Sequence, residues 1–356
     1  MRKKTAPKAD PYLNALEDLA DGKTESAIEK LKEAIRQNSN NIGAYLRLGD
    51  KLREQGYVKN GLRIHKELTL RENLSSVDEL RISKSLLRDY EKINDVENGI
   101  ALAKKLFNES KKDDNWIVEK MIALYERSEK WSDAIETHKK YFKTLTGAQK
   151  RKIALYHVFQ GLHLHQIKKA KEGRIRFKEA KKIAPECGAA YYYLGKSYEN
   201  ENRLDDAVEE WKAFCYRVPS RAHIVFPNLE KAYFDMGVFE DIESFYQELY
   251  DLSEKNLNTV LALVGFYLKK GRYEKAHTFL EKAEEDFKNS NHLAAKKVEV
   301  LYHINHYKEA ASEALKLCKT DYKKMNQVYT CNVCHFESNN PQWRCPQCKS
   351  IDSFSL

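Results

Sequence analysis

The sequence predicts an all-α fold, a stack of about nine helical hairpins from about Asp10 to Lys324, followed by a small four-cysteine module. Three observations predict it. A mostly small residue recurs at Ala27, Gly61, Gly99, Ala134, Gly173, Ala207, Ile242, Ala276 and Ala310, at intervals of 34 to 39 residues. Five residues before each, where a hairpin turn needs left-handed backbone, stand Gly22, Gly56, Asn94, Glu129, Lys168, Asn202, Gly237, Gly271 and Asn305. Seven of these nine are Gly or Asn, the types that tolerate such backbone best. The third observation is Cys331-x2-Cys334, then ten residues, then Cys345-x2-Cys348.

The hairpin unit is clearest at the sixth repeat. Tyr191-x2-Leu194-Gly195-x2-Tyr198, then Ala207-x3-Trp211, then Pro219 follows the tetratricopeptide signature. Leu194, Gly195 and Tyr198 share one face of the first helix, and Gly195 lets the second helix approach. Ala207 is the matching small residue, and Pro219 stops the second helix. Extra turns are expected where the interval lengthens. Such hairpins bury their faces only by stacking, which winds them into a superhelix with a concave inner surface. In this register the partner-groove candidates are Leu46, Asp50 and Arg53 in the second unit and Tyr192, Lys196 and Asn200 in the sixth. Lys84 and Arg88 resemble half of a carboxylate clamp, but the neighbouring units supply no partner asparagine. Three domains result: a basic tail over residues 1–9, the repeat array over 10–324, and the metal-binding module over 325–356.

Composition agrees. The chain is 42% hydrophobic and 32% charged, with only seven prolines and fourteen glycines, which suits helices joined by short turns. No apolar run approaches the roughly eighteen residues a membrane span needs. The opening MRKKTAPKAD leads into no apolar stretch, so it reads as neither signal peptide nor membrane anchor, and a cytoplasmic location is expected. Cys187, Cys215 and Cys318 stand singly and read as small core residues.

The net charge is +9, and residues 150–182 hold eleven Lys or Arg against Glu172 and Glu179. A solvated Lys-rich helix face is preferred here over a belt for nucleic acid, anionic lipid headgroups or an acidic partner. Phe159 and Phe177 fall at core positions, leaving no stacking platform for RNA bases. His157, His163 and His165 read as packing and surface residues. The sequence holds no HExxH, phosphate-cradling glycine loop or nucleophile elbow, so no enzyme is expected.

The cysteine quartet points to metal. Two CxxC knuckles each aim two sulfurs at one ion, and so short a segment needs the ion to fold. Zinc and iron both accept four cysteines. Tyr329 and Trp343 each stand two residues before a knuckle, where they are expected to wrap the sulfurs in apolar surface. His335 and Lys349 occupy the positions after each pair, where positive φ is expected.

A repeat array closed by such a module resembles the lipopolysaccharide assembly protein B family. The likeness shows in Leu48-Gly49-Asp50-x-Leu52-Arg53-x2-Gly56 running to Arg63-Ile64-His65, and in Tyr329-x-Cys331-x2-Cys334 with Trp343-x-Cys345-Pro346-x-Cys348. The resemblance implies that Cys331, Cys334, Cys345 and Cys348 are rubredoxin-type metal ligands, iron in that family. It implies a non-catalytic adaptor on the cytoplasmic face of the inner membrane. There it would link a membrane ATP-dependent zinc protease to the deacetylase that commits sugar nucleotide to lipid A. Two departures stand out: the family carries an N-terminal transmembrane helix where this chain opens on a basic tail, and His335 replaces a glycine. The alternatives are a general peptide-binding scaffold unrelated to lipid A and an iron tetrathiolate redox protein.

Overall fold

The computed structural model describes residues 10–109, 115–252, 256–287, 290–318 and 328–355. The basic tail and the boundary expected at 324 lie outside them. The chain forms two compact units, Met1–Lys143 and Thr144–Leu356. In the first, four hairpins pair α1 (Pro11–Ala20) with α2 (Thr24–Gln37), α3 (Ile42–Glu54) with α4 (Val58–Leu68), α5 (Ser76–Ile93) with α6 (Val96–Glu109), and α7 (Asn115–Arg127) with α8 (Trp131–Tyr141). In the second, five pair α9 (Gly147–Gln166) with α10 (Ala170–Ile183), α11 (Gly188–Glu199) with α12 (Leu204–Arg217), α13 (Phe226–Asp235) with α14 (Asp241–Leu252), α15 (Leu257–Lys269) with α16 (Tyr273–Glu284), and α17 (Asn291–His303) with α18 (Tyr307–Cys318). The expected nine hairpins are present. The longer intervals are absorbed by first helices of 18 residues in α5 and 20 in α9.

Local chemistry sets these boundaries. Side-chain caps open many first helices, from Asn41, Ser75, Asn256 and Ser290, and Thr146 with Gln149 forms a full capping box at α9. Second helices such as α4, α8, α10 and α12 have no such cap, because the turn delivers the chain to them. All nine expected turn positions adopt positive φ, between 57° at Glu129 and 90° at Gly56. Each turn closes with a bond back across six residues: Tyr57 N–H to the Leu52 carbonyl at 2.8 Å, and Lys169 N–H to the Leu164 carbonyl at 2.8 Å.

The alanine column sits where paired helices touch. Ala27, Ala134, Ala207, Ile242 and Ala276 are fully buried. A Cβ on Gly195 would lie 2.3 Å from Trp211 Nε1, so only glycine lets the fully buried Trp211 lie across α11. The first unit is filled by small clusters around Leu31 and Leu68. The second has one continuous core from Ala154 to Val300, which also takes in Trp343. Among the described residues no helix is long and apolar enough to cross a membrane.

Candidate metal centre and its docking surface

After the helices, three short strands form an antiparallel sheet: β1 (Tyr329–Cys331) at the centre, β2 (Glu337–Ser338) and β3 (Phe354–Ser355) at its edges. The two knuckles repeat one geometry. Cys331 N–H donates to the Phe336 carbonyl at 2.9 Å, and Cys345 N–H to that of Ser350 at 2.8 Å. His335 and Lys349 N–H groups reach back to the Cys331 and Cys345 carbonyls at 2.9 and 3.0 Å. Both residues take positive φ, 58° and 63°, as their positions required.

This folding brings the four sulfurs within 4.8 Å of one another. Cys331 and Cys348 Sγ are 3.7 Å apart, Cys334 and Cys345 Sγ 3.6 Å. A tetrahedral ion with metal–sulfur bonds of about 2.3 Å sets its ligands about 3.8 Å apart, so the quartet fits one ion. Burial disfavours a thiolate at Cys331, yet the Ser350 and Ser353 hydroxyls and the amides of Cys334 and Val333 outweigh it and pull the thiol down to about 5. Burial and the neighbouring sulfurs instead push Cys334 up to about 12. A bound cation would relieve that conflict, holding all four as thiolates. Ser350 Oγ lies 3.4 Å from Cys331 Sγ and 2.9 Å from Cys348 Sγ, so one hydroxyl joins both knuckles. The sequence reading missed these serines.

Tyr329 packs against the cysteines together with Phe336 and Phe354, as expected of an apolar wrapping. Trp343 does not. It turns away from the sulfurs and inserts into the helical core, its ring centroid 5.4 Å from that of Tyr192 and 5.6 Å from that of Tyr193 on α11. Polar contacts complete the docking. Asp352 faces Arg151 at 3.8 Å and Arg221 at 3.9 Å. Arg221 and His223 lie on the short 3-10 turn Pro219–Ile224 that follows α12. Tyr329 Oη and His223 Nε2 share a 3.3 Å hydrogen bond, while the Asn258 amide nitrogen stands 3.2 Å from Nδ1. An amide nitrogen only donates, so Nδ1 accepts and the imidazole is neutral, with its proton on Nε2. Burial and the nearby Arg221 hold His223 below its ordinary pKa, consistent with that state. These contacts fall on the fifth and sixth hairpins and the turn beyond.

The groove candidates divide. Tyr192 is covered by the module's own Trp343. Leu46 and Arg53 are interior, 7% and 8% exposed, because the next hairpin covers them. Arg53 donates to Asp89 at 2.9 Å and to Asp50 at 2.6 Å, and His65 Nδ1 meets the other Asp89 oxygen at 2.5 Å. Asp50 and Lys196 remain partly accessible and Asn200 is exposed, Lys196 paired with Glu199 at 2.8 Å. His165 stacks on Phe177 and bonds Ser197, and His163 is exposed, as packing and surface roles require. Part of the basic stretch is paired: Arg174 with Glu201, Arg176 with Glu179, Lys181 with Glu210. Cys187 and Cys215 are buried as expected, but Cys318 is exposed at the end of α18, where no later hairpin among the described residues covers it.

A tetratricopeptide repeat family model matches residues 233–300. Lipopolysaccharide assembly protein B of Escherichia coli strain K12 is 19% identical over 350 residues, covering 95% of this chain and 87% of its own length, and its O157:H7 counterpart aligns equally. Among solved structures, Naa15/Naa10 bound to HypK-THB aligns over 88% of this chain and 58% of its own at 13% identity, with a TM-score of 0.49. A tetratricopeptide repeat protein from Parabacteroides merdae aligns over 82% and 97% at 14% identity, with a TM-score of 0.30. Nine helical hairpins, a cysteine quartet able to hold one metal ion and a likeness over 95% of the chain converge: the chain folds as a tetratricopeptide repeat array and resembles lipopolysaccharide assembly protein B.

Proposed function

We propose that this chain is a non-catalytic adaptor that regulates lipopolysaccharide synthesis. In this reading it brings the lipid A deacetylase to a membrane ATP-dependent zinc protease at the cytoplasmic face of the inner membrane. The observation that carries the non-catalytic part is the closed donor set. Cys331, Cys334, Cys345 and Cys348 would fill all four positions of a tetrahedral ion, leaving none for a substrate or activated water. Bound there, the ion supplies folding energy to a short module, and that module rests against the hairpins through Trp343 and Asp352. The full-length likeness to lipopolysaccharide assembly protein B supports the choice of pathway. By the same likeness the ion is iron, with zinc the alternative.

The test is affinity capture from native membranes of a bacterium that makes lipid A, using purified chain and its Cys345→Ser variant. The wild type is expected to retain both protease and deacetylase, and the variant to lose both. A wild-type chain that retains neither overturns the adaptor reading. Elemental analysis of the same preparation identifies the metal: iron gives a visible thiolate charge-transfer band, whereas a colourless protein holding one equivalent of zinc removes the iron assignment and the redox alternative together.

A further inference from the structure

One side of α10 carries cations that neither the fold nor the metal centre uses. Lys171, Ile175, Lys178 and Lys182 follow at steps of four, three and four residues, so they share one helix face, and all are exposed. That face lies opposite the buried Gly173, Phe177 and Ala180. Lys168, in the turn before α10, and Ile167 beside it are exposed as well. Among the described residues, none of the lysines 168, 171, 178 and 182 makes an ion pair or a side-chain hydrogen bond. The nearby acids are taken: Glu172 by Lys169 at 3.8 Å, Glu179 by Arg176 at 2.8 Å and Glu201 by Arg174 at 2.6 Å. Lys171 helps to hold the Glu201 pKa down without pairing with it. α12, whose Glu210 takes Lys181, sits beside α10 and leaves this face open.

We propose that this face of α10, with Ile167 and Lys168, is a docking surface for an anionic phospholipid membrane. Successive lysines stand one or two helical turns apart, about 5–11 Å, comparable with a Debye length of about 8 Å at physiological salt, so an anionic sheet meets one combined field. Ile175, 56% exposed, stands between Lys171 and Lys178, and Ile167, 50% exposed, beside Lys168. A solvated lysine face, the expectation from sequence, gives these two side chains no role. At a membrane surface the ammonium groups meet phosphates while the isoleucines enter the interface. Nucleic acid satisfies the lysines but not the isoleucines, and α10 exposes no aromatic ring for base stacking, because its Phe177 is buried. The face is a ridge turned away from its packing partners, so an extended peptide finds no pockets for its side chains. The inference rests on the proposed function only for which membrane is met.

The experiment is co-sedimentation of the full chain with vesicles of phosphatidylglycerol and phosphatidylcholine in equal parts, and with phosphatidylcholine vesicles alone. The assay contains neither protease nor deacetylase, so it fails or succeeds separately from the adaptor reading. Binding to the mixed vesicles is expected, weakening with salt. Each lysine near an anionic leaflet strengthens binding by about fivefold, so Lys171→Gln/Lys178→Gln is expected to bind about twentyfold more weakly. Glutamine keeps the helix propensity of lysine, and far-UV circular dichroism checks that the helices remain. Lys32→Gln/Lys308→Gln, which removes two exposed cations elsewhere, is expected to stay within about twofold of wild type. Ile175→Ser is expected to lose about threefold, from the apolar surface it no longer buries. Equal losses in the two double variants overturn the proposal, as does an Ile175→Ser variant that binds like wild type. Equal binding to both kinds of vesicle, or desertion of the mixed vesicles for duplex RNA when both are present, overturns it too.

Discussion

Trp343 of the cysteine module and Tyr192 of α11 pack ring against ring, centroids 5.4 Å apart, so a residue two positions from a cysteine of the quartet is also part of the helical core. Tyr193 borders the same contact, its ring centroid 5.6 Å from that of Trp343. Such sharing links the stability of the module to that of the hairpin beneath it, because neither surface is satisfied alone.

Replacing Trp343 with alanine tests that link. The side chain is 7% exposed, so its removal is expected to cost about 3 kcal/mol, in the range for a buried aromatic. Hydrogen exchange of the α11 amides is expected to quicken by about a hundredfold, the equivalent of that loss. The four cysteines are untouched, and elemental analysis is expected to find metal retained. Unchanged exchange in Gly188–Glu199 would mean that the contact carries no energy.

What was legible in the sequence was local. The nine turns were readable because a left-handed residue is demanded at one fixed place in each hairpin, whatever side chain fills it, and Glu129 and Lys168 obey the frame against their own preference. The knuckles were readable for the same reason, through His335 and Lys349. What depends on distant packing was not. Leu46 and Arg53 share the register of a groove, but α5 of the next hairpin closes over them, Arg53 reaching the Ser85 carbonyl at 3.3 Å. Tyr329 and Trp343 hold the same offset, yet only docking decides that one wraps sulfur and the other leaves it. Ser350 and Ser353 meet Cys331 only because β3 returns beside β1.

Asp89 ties the second hairpin to the third. It is fully buried and accepts from Arg53 while meeting His65, itself fully buried. Asp89→Ala leaves the buried His65 imidazole without its carboxylate partner and Arg53 with Asp50 alone, and breaking a buried pair typically costs about 3–5 kcal/mol. Thermal unfolding is expected to show that loss, with exchange rising in α3 to α5. A variant within about 0.5 kcal/mol of wild type would show that the network adds nothing net.

His223 gives the docked module a pH dependence of definite sign. Burial and Arg221 hold its folded pKa below the ordinary 6.5. As pH falls, the unfolded chain takes the proton first. The contribution is therefore fully present above 6.5 and is lost as pH drops through 6.5 toward the lower folded value. Arg174 holds Glu201 below its ordinary 4.5, which acts in the same direction at lower pH and leaves the histidine window separate. Melting temperature is expected to fall between about pH 7.5 and 5.5, and His223→Gln to flatten that slope. A variant that keeps the wild-type slope would move its origin to another group.

Glu129 and Lys168 offer the reverse test, a gain of stability from removing a side chain. Both hold left-handed backbone, φ 57° and 61°, at turns where other hairpins use Gly or Asn. A Cβ in this region costs roughly 1–2 kcal/mol, and glycine avoids it while losing more freedom on folding, about 0.5–1 kcal/mol. The two effects leave a net gain of about 0.5–1 kcal/mol for Glu129→Gly or Lys168→Gly. The turn bonds, Lys130 N–H to the Tyr125 carbonyl at 3.0 Å and Lys169 N–H to that of Leu164 at 2.8 Å, involve only backbone and survive the change. Ion pairing is the competing consideration at Lys168, since it lies in the basic stretch; losing one positive charge there relieves repulsion and adds to the gain. Chemical denaturation is expected to show a higher midpoint with an unchanged slope for each variant. A lower midpoint would mean that the side chains hold contacts outweighing their strained backbone.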